Sequence, residues 1–234
     1  MSTILAVDTS CDACSIALLK DGQAYAEFIQ APRQHSQRLL PMIDALLKKH
    51  SVDLSDLDAI AYGRGPGSFT GLRICLSVVQ GLAFSVDLPV IPVSTLHTMA
   101  VGAVNTGLAK DQDLILVALD ARMEEVYWSL YRLQDGQAVP VTEEFVCSPS
   151  DVPGHGDLGS VAAQNLIKVG AGCHYPAIEG IDAAREIREL LPRAEDMLGL
   201  AQYALKEGQV HMAENSQPVY LRDSVAWKKR QRIR

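Results

Sequence analysis

The 234-residue chain lacks the features that would tie it to a membrane, an oxidising compartment or a polyanion. Its longest helical apolar stretch, residues 74–86, is broken by Ser77, Gln80 and Gly81 and is too short to cross a bilayer. Only three residues precede the first strand, and Asp8 interrupts its apolar run, which leaves no room for the charged and hydrophobic regions of a secretory signal. The five cysteines are odd in number and thinly spread, as expected of reduced thiols rather than a disulfide framework. Cys11 and Cys14 form one C-x-x-C, but no second pair exists to complete a zinc site, so a structural role in a turn is expected. A net charge of −7 argues against the body of the protein wrapping a nucleic acid by itself. These absences lead to the expectation of a soluble, cytoplasmic protein. With 48% hydrophobic and 21% charged residues, the chain can bury the core of one large or two small domains.

What is present is a repeat. Ile4-Leu5-Ala6-Val7 runs into Asp8, and a short turn leads to a second apolar run, Cys14 to Leu19, and then Asp21-Gly22. Ile115 to Leu119 runs into Asp120, and Glu125 to Leu130 leads to Asp135-Gly136. The copies are offset by 112 residues at the aspartates and 114 at the Asp-Gly turns, close to half the chain, which points to a duplicated domain. After the first three strands, apolar residues from Leu39 to Leu47 recur at helical spacing. Residues 57–62 read as a strand, 63–71 as a glycine-rich loop and 72–84 as a second helix. A short strand at 89–93 follows, with Ser94 placed to cap a third helix. The second half opens in the same way and then shortens: 148–159 reads as a surface loop, 166–169 as a strand, and 183–191 and 194–206 as helices separated by Pro192. The expected fold is α/β, with domains over 1–108 and 109–225 and a basic tail over 226–234.

The run Gly63-Arg64-Gly65-Pro66-Gly67-Ser68-Phe69-Thr70-Gly71 joins a strand to a helix, a setting that favours an anion. Yet Ser68 stands where G-x-G-x-x-G needs its third glycine, and no Lys-Ser/Thr pair follows as in a P-loop. A tight turn packed against its surroundings, with Ser68 or Thr70 as the helix cap, is an equal alternative.

Gly65-Pro66-Gly67-Ser68-Phe69-Thr70-Gly71-Leu72-Arg73 resembles the signature of the bacterial TsaB (YeaZ) family. Ile4 to Thr9, His35 to Pro41, Leu119 to Arg122, Val126-Tyr127-Trp128 and Pro218 to Arg222 are also similar, so the resemblance spans nearly the whole chain. It implies two duplicated βββαβα domains of the actin, sugar-kinase and Hsp70 type. It also implies a part in forming threonylcarbamoyladenosine beside the tRNA anticodon. In that pathway TsaC makes threonylcarbamoyl-adenylate, TsaD transfers the group, and the ATPase TsaE docks on the TsaB–TsaD pair. The chain would then be a non-catalytic subunit that meets tRNA only through the complex, with self-association into a homodimer when TsaD is absent.

The residues agree with a chain that has lost its own chemistry. Phosphate-holding turns of this fold need a glycine two positions after the acid, and Asp8-Thr9-Ser10 and Asp120-Ala121-Arg122 keep the acid without it. Gly170-Ala171-Gly172 reads either as a remnant of an adenosine-binding turn or as a plain strand-to-helix turn. Asp8, Asp120, Gly170 and Gly172 thus mark a degenerate nucleotide site. No cofactor is expected for this chain, the junction of the complex being the place left open for ATP or ADP. TsaD-like subunits carry an H-x-x-x-H pair where this chain has His97 alone, so no metal is expected either. Gly67-Ser68-Phe69 is not a G-x-S-x-G elbow, and no triad partner can be assigned to Ser68.

By resemblance, the partner-facing residues are His35, Leu39 and Ile43 on the first helix, Arg64, Pro66, Ser68, Phe69, Thr70 and Arg73 around the glycine loop, and Leu76 and Gln80 on the second helix. The apolar ones among Leu39, Ile43, Leu76 and Gln80 could equally face the sheet. The tail from Lys228 to Arg234 could touch tRNA phosphates or be a solvated terminus without a role. Rival functions are an ATP-dependent kinase of the same fold and a peptidase or peptidase partner.

Overall fold

A computed structural model describes residues 2–159 and 162–222, so the tail at 226–234 lies outside the described residues. The first sheet opens with β1 (Ile4–Asp8), β2 (Ala13–Lys20) and β3 (Gln23–Gln30). Asp21 and Gly22 both take positive φ, 51° and 78°, and the two-residue turn they form fixes the antiparallel register of β2 on β3. Helix α1 (His35–Lys49) leads to β4 (Ala59–Gly65), α2 (Phe69–Ser85), β5 (Pro89–Ser94) and α3 (Thr95–Asn105). As expected, Ser94 caps α3, its hydroxyl accepting from His97 N at 3.1 Å.

The second half repeats the plan. It has β6 (Leu114–Asp120), β7 (Val126–Gln134) and β8 (Gln137–Pro140), with Asp135 and Gly136 at φ 52° and 78°. A short β9 (Phe145–Cys147) pairs with β7, and β10 (Leu166–Val169) and β11 (Arg185–Ile187) complete the sheet. The helical turns α4 (Gly156–Gly159) and α5 (Pro176–Glu179) precede the long α6 (Ala194–Lys206) and β12 (His211–Met212). The strand orders are β12-β5-β4-β1-β2-β3 and β11-β10-β6-β7-β8. In both, an antiparallel three-strand opening is extended by two parallel strands beside the first, which is the duplication the repeated Asp and Asp-Gly signals foretold.

Period-two alternation buries both faces of the first sheet. Leu5, Val7, Ile16 and Leu18 point toward α1 and α2, while Ile4, Ala6, Ala17 and Leu19 point toward α6. The helices are exchanged between the halves. α3 follows the first sheet in sequence yet packs Leu96, Met99 and Ala103 on Ile115, Val117 and Ile167 of the second. α6 follows the second sheet yet packs Ala194, Met197 and Ala201 on the first. Asn105 on α3 donates to Asp196 on α6 at 2.6 Å where the two helices meet. α6 and β12 thus lie on the first sheet although they follow the second in sequence.

Two local expectations are corrected. Residues 183–191 are not a helix: β11 pairs in parallel with β10, and sheet pairing overrides local helix propensity. Segment 148–159 is not simply a surface loop, because its short helical turns bury Val152 and Leu158 in the core under the second sheet.

Candidate functional site

The strand-to-helix connection from β4 to α2 is pressed onto the turn that links β1 to β2. Ser68 N donates to Ser10 O at 2.7 Å, and the Thr9 hydroxyl donates to Gly71 O at 2.8 Å. A Cβ built on Gly63 would lie 1.9 Å from Asp8 Oδ2, one on Gly67 2.5 Å from Ser10 O, and one on Gly71 1.9 Å from Thr9 O. The glycines are thus required by contact with the neighbouring turn. Of the two readings of this motif, close packing is the one observed, with Ser68 as the cap accepting from Gly71 N at 3.3 Å. That bond, with no histidine beside Ser68 in it, gives the serine a structural task.

Asp8 is fully buried beneath this contact. Its Oδ1 accepts from Ser10 N and Ser10 Oγ at 2.9 and 2.8 Å, while Oδ2 has no hydrogen-bond partner. Burial pushes its carboxyl up to about 6, against the opposing pull of the Ser10 bonds and of nearby His35. Burial and the Asp8 carboxylate likewise raise the Cys11 thiol to about 12, and Cys14 is raised by the same causes. Thiols held protonated are poor nucleophiles and poor metal ligands, consistent with the structural reading of this C-x-x-C.

In the second copy, Asp120 accepts from Arg122 N at 2.8 Å and from the Tyr175 hydroxyl at 2.9 Å. Cβ atoms on Gly170 and Gly172 would approach Ala118 O to 2.4 Å and Ala118 C to 2.7 Å. Gly170-Ala171-Gly172 is accordingly a turn packed on the end of β6, the counterpart of the glycine loop packed on the end of β1. His97, the lone histidine of α3, donates from Nε2 to Ala138 O at 2.7 Å and stacks on Tyr131, and burial lowers its pKa.

The outward side of α1 and α2 has a different character. α2 carries a single charged residue, Arg73, in 17 positions. Phe69 and Phe84 are 55% and 71% exposed at its two ends, and Leu40 is 49% exposed on α1. A groove of about 370 Å³ runs along the helices, lined by Ser36, Phe69, Thr70, Arg73, Ile74, Ser77 and Val78. At its head the Arg73 guanidinium lies 4.0 Å from the Phe69 ring centre and donates to the Tyr220 hydroxyl at 3.2 Å, with Tyr220 itself 5.6 Å from Phe69.

Of the residues expected to face a partner, Ser68, Phe69, Thr70 and Arg73 are on this surface. Leu39, Ile43 and Leu76 are not: they belong to the core between the helices and the sheet. His35 is buried with Nε2 donating to Cys11 O at 2.8 Å, and Pro66 is buried as well. Gln80 is half-buried and donates to Ala213 O and Ser216 O. Arg64 turns inward to Glu144. Leu40, Ser77 and Phe84 are exposed on this side instead, and Ile74 and Val78 line the groove. Helical phase could have found Ser77 and Phe84, which lie away from the buried stripe of α2, whereas Ile74 and Val78 are half-buried at its edge.

A family model described as TsaD, tRNA N6-adenosine threonylcarbamoyltransferase, matches residues 29–230. The tRNA threonylcarbamoyladenosine biosynthesis protein TsaB of Escherichia coli strain K12 is 44% identical, with 97% of each chain covered. The chain belongs to the TsaB family. The Haemophilus influenzae TsaB is 39% identical over 97% of this chain and 96% of its own. The solved structure of YeaZ from Pseudomonas aeruginosa is 44% identical and superposes with a TM-score of 0.84, covering 94% of this chain and all of that one. In this TsaB-family chain the glycine run from Gly63 to Gly71 is the surface packed on the first hairpin turn. Among the described residues, no helix of this TsaB-family chain is long and apolar enough to cross a membrane.

Proposed function

We propose that the chain is a non-catalytic subunit in threonylcarbamoyladenosine formation on tRNA, pairing with a TsaD-type paralogue through α1 and α2 and offering the pair to the ATPase TsaE. The observation that carries this reading is the outward face of α2, uncharged but for Arg73, with exposed Phe69 and Phe84 at its ends and small residues between them, and headed by Arg73 and Tyr220, residue types enriched in binding hot spots. A monomer gains nothing by exposing such a helix, and a paralogue of the same fold has a corresponding helix pair to set against it in the proposed pairing. Closing the face on a second copy of this chain gives the alternative two-fold dimer.

A non-catalytic role is supported by the first turn, where the Ser10 amide, one that a phosphate would need, is already bonded to Asp8 Oδ1, and the glycine loop is packed on the turn with Ser68 N on Ser10 O. In this reading tRNA is reached through the complex, and any ATP or ADP sits at the subunit junction. The test is threonylcarbamoyl incorporation into unmodified tRNA by purified TsaC, TsaD and TsaE, with and without this chain. Incorporation only in its presence is expected; equal incorporation without it would remove the subunit role.

A further inference from the structure

Between the two sheets lies a cleft of about 420 Å³, lined in part by Arg64, Ser94, Glu144, Val219 and Leu221. Glu144, in the connection after β8, crosses it. Its Oε1 accepts from Arg64 Nη2 at 2.9 Å and from the Ser94 hydroxyl. Arg64 is at the end of β4 and Ser94 caps α3, so one carboxylate of the second half holds two elements of the first. The pair is largely shielded, with side chains 25% and 13% exposed, where a charge-assisted bond is worth more than at the surface.

Arg64 also has a second engagement. Its backbone carbonyl accepts from Val219 N at 2.8 Å, and Tyr62 donates its hydroxyl to Gln217 O at 3.4 Å. Segment 217–222 is thereby laid along the end of β4. One residue on, Tyr220 receives the Arg73 bond and stands against Phe69. Two residues further, Arg222 crosses to the second half, donating to Ala121 O at 3.2 Å and to the Glu125 carboxylate. The chain of contacts Glu144, Arg64, Val219, Tyr220, Arg73 is continuous.

We infer that Glu144 is a positioning residue for partner docking: by holding Arg64 across the cleft it sets the strap 217–222, and the strap sets the Phe69–Arg73–Tyr220 head of the docking groove. The inference rests on the docking face proposed above. Glu144 touches no part of that face, so its influence is a coupling between closure of the cleft and affinity at the groove.

The experiment compares the full chain with Glu144→Ala and Glu144→Gln, reading hydrogen exchange at the Val219 amide and affinity for the paralogous subunit, with Arg73→Ala and Ser77→Arg as controls on the face itself. Glu144→Ala is expected to speed exchange at Val219 while α1 amides keep their protection, and to weaken docking about tenfold, within the usual range of coupling between sites. Glu144→Gln keeps an acceptor oxygen and is expected to recover much of both. A misfolded variant would lose α1 protection as well, and Glu144→Gln then carries the comparison. Unchanged exchange at Val219 overturns the inference whatever the binding result. Wild-type affinity in Glu144→Ala alongside loss in Arg73→Ala and Ser77→Arg overturns it and leaves the docking face standing. Wild-type affinity in both face variants removes the face, and the inference with it.

Discussion

Asp8 places a carboxyl group wholly inside the first half. Its ionised form is disfavoured in the folded chain, because one oxygen is buried without a donor. With a folded pKa of about 6 against 3.8 unfolded, the native state holds the proton more tightly. This contribution to stability is full below the unfolded value and is lost as pH rises through about 6, a change of roughly 3 kcal/mol. Thermal midpoints measured from pH 4 to 7 should therefore carry a falling component that Asp8→Asn removes, the substituted chain being at least as stable at pH 7. Identical pH profiles for the two would show that Asp8 is not buried as described. The glycines give a paired expectation. Gly71→Ala drives a methyl into Thr9 O and should cost about 1–3 kcal/mol or more in denaturant unfolding. Gly81→Ala meets nothing within 4 Å and should stabilise the isolated chain by about 0.5–1 kcal/mol through helix propensity. Equal costs at both positions would contradict the close approach of the two turns.

At the scale of elements, α1 and α2 each divide into a buried stripe and an outward one. Truncating the stripe, for example Leu46→Ala, should lower unfolding free energy by about 2–5 kcal/mol. Ser77→Arg on the outward side should leave the thermal midpoint of the isolated chain near that of the wild type while abolishing self-association in sedimentation. A persistent dimer would show that this face is not where copies meet. How much of this was legible in the sequence depended on period. The apolar runs ending on Asp8 and Asp120, with Asp-Gly turns behind them, announced both three-strand openings correctly because strand alternation and a two-residue turn are local signals. The outward surface of α1 and α2 was legible only as a region. The motif carries Phe69 and Arg73, which are exposed, together with Pro66 and Gly71, which are buried. Leu39, Ile43 and Leu76 sit in the buried phase of the same helices. β11 was missed since three residues with a single buried partner strand leave no periodic trace.

For the whole molecule, the two halves are tied together by exchanged helices and by the segment that follows them. α3 lies on the second sheet, and α6 on the first and the strap from Gln217 to Arg222 join residues more than a hundred positions apart. None of these pairings could be read from local pattern. The helix at 194–206 was visible in the sequence, but the sheet it covers was not. The first hairpin turn is covered by its glycine loop, and α2 presents outward a face charged only at Arg73. In the proposed role this face, and no chemistry within the chain, is what the protein contributes. The most direct measurement is threonylcarbamoyl incorporation into unmodified tRNA by TsaC, TsaD and TsaE supplemented with either the wild-type chain or Ser77→Arg. The account predicts that the wild type restores incorporation and that Ser77→Arg, folded to the same thermal midpoint, does not. Full incorporation with Ser77→Arg would contradict it.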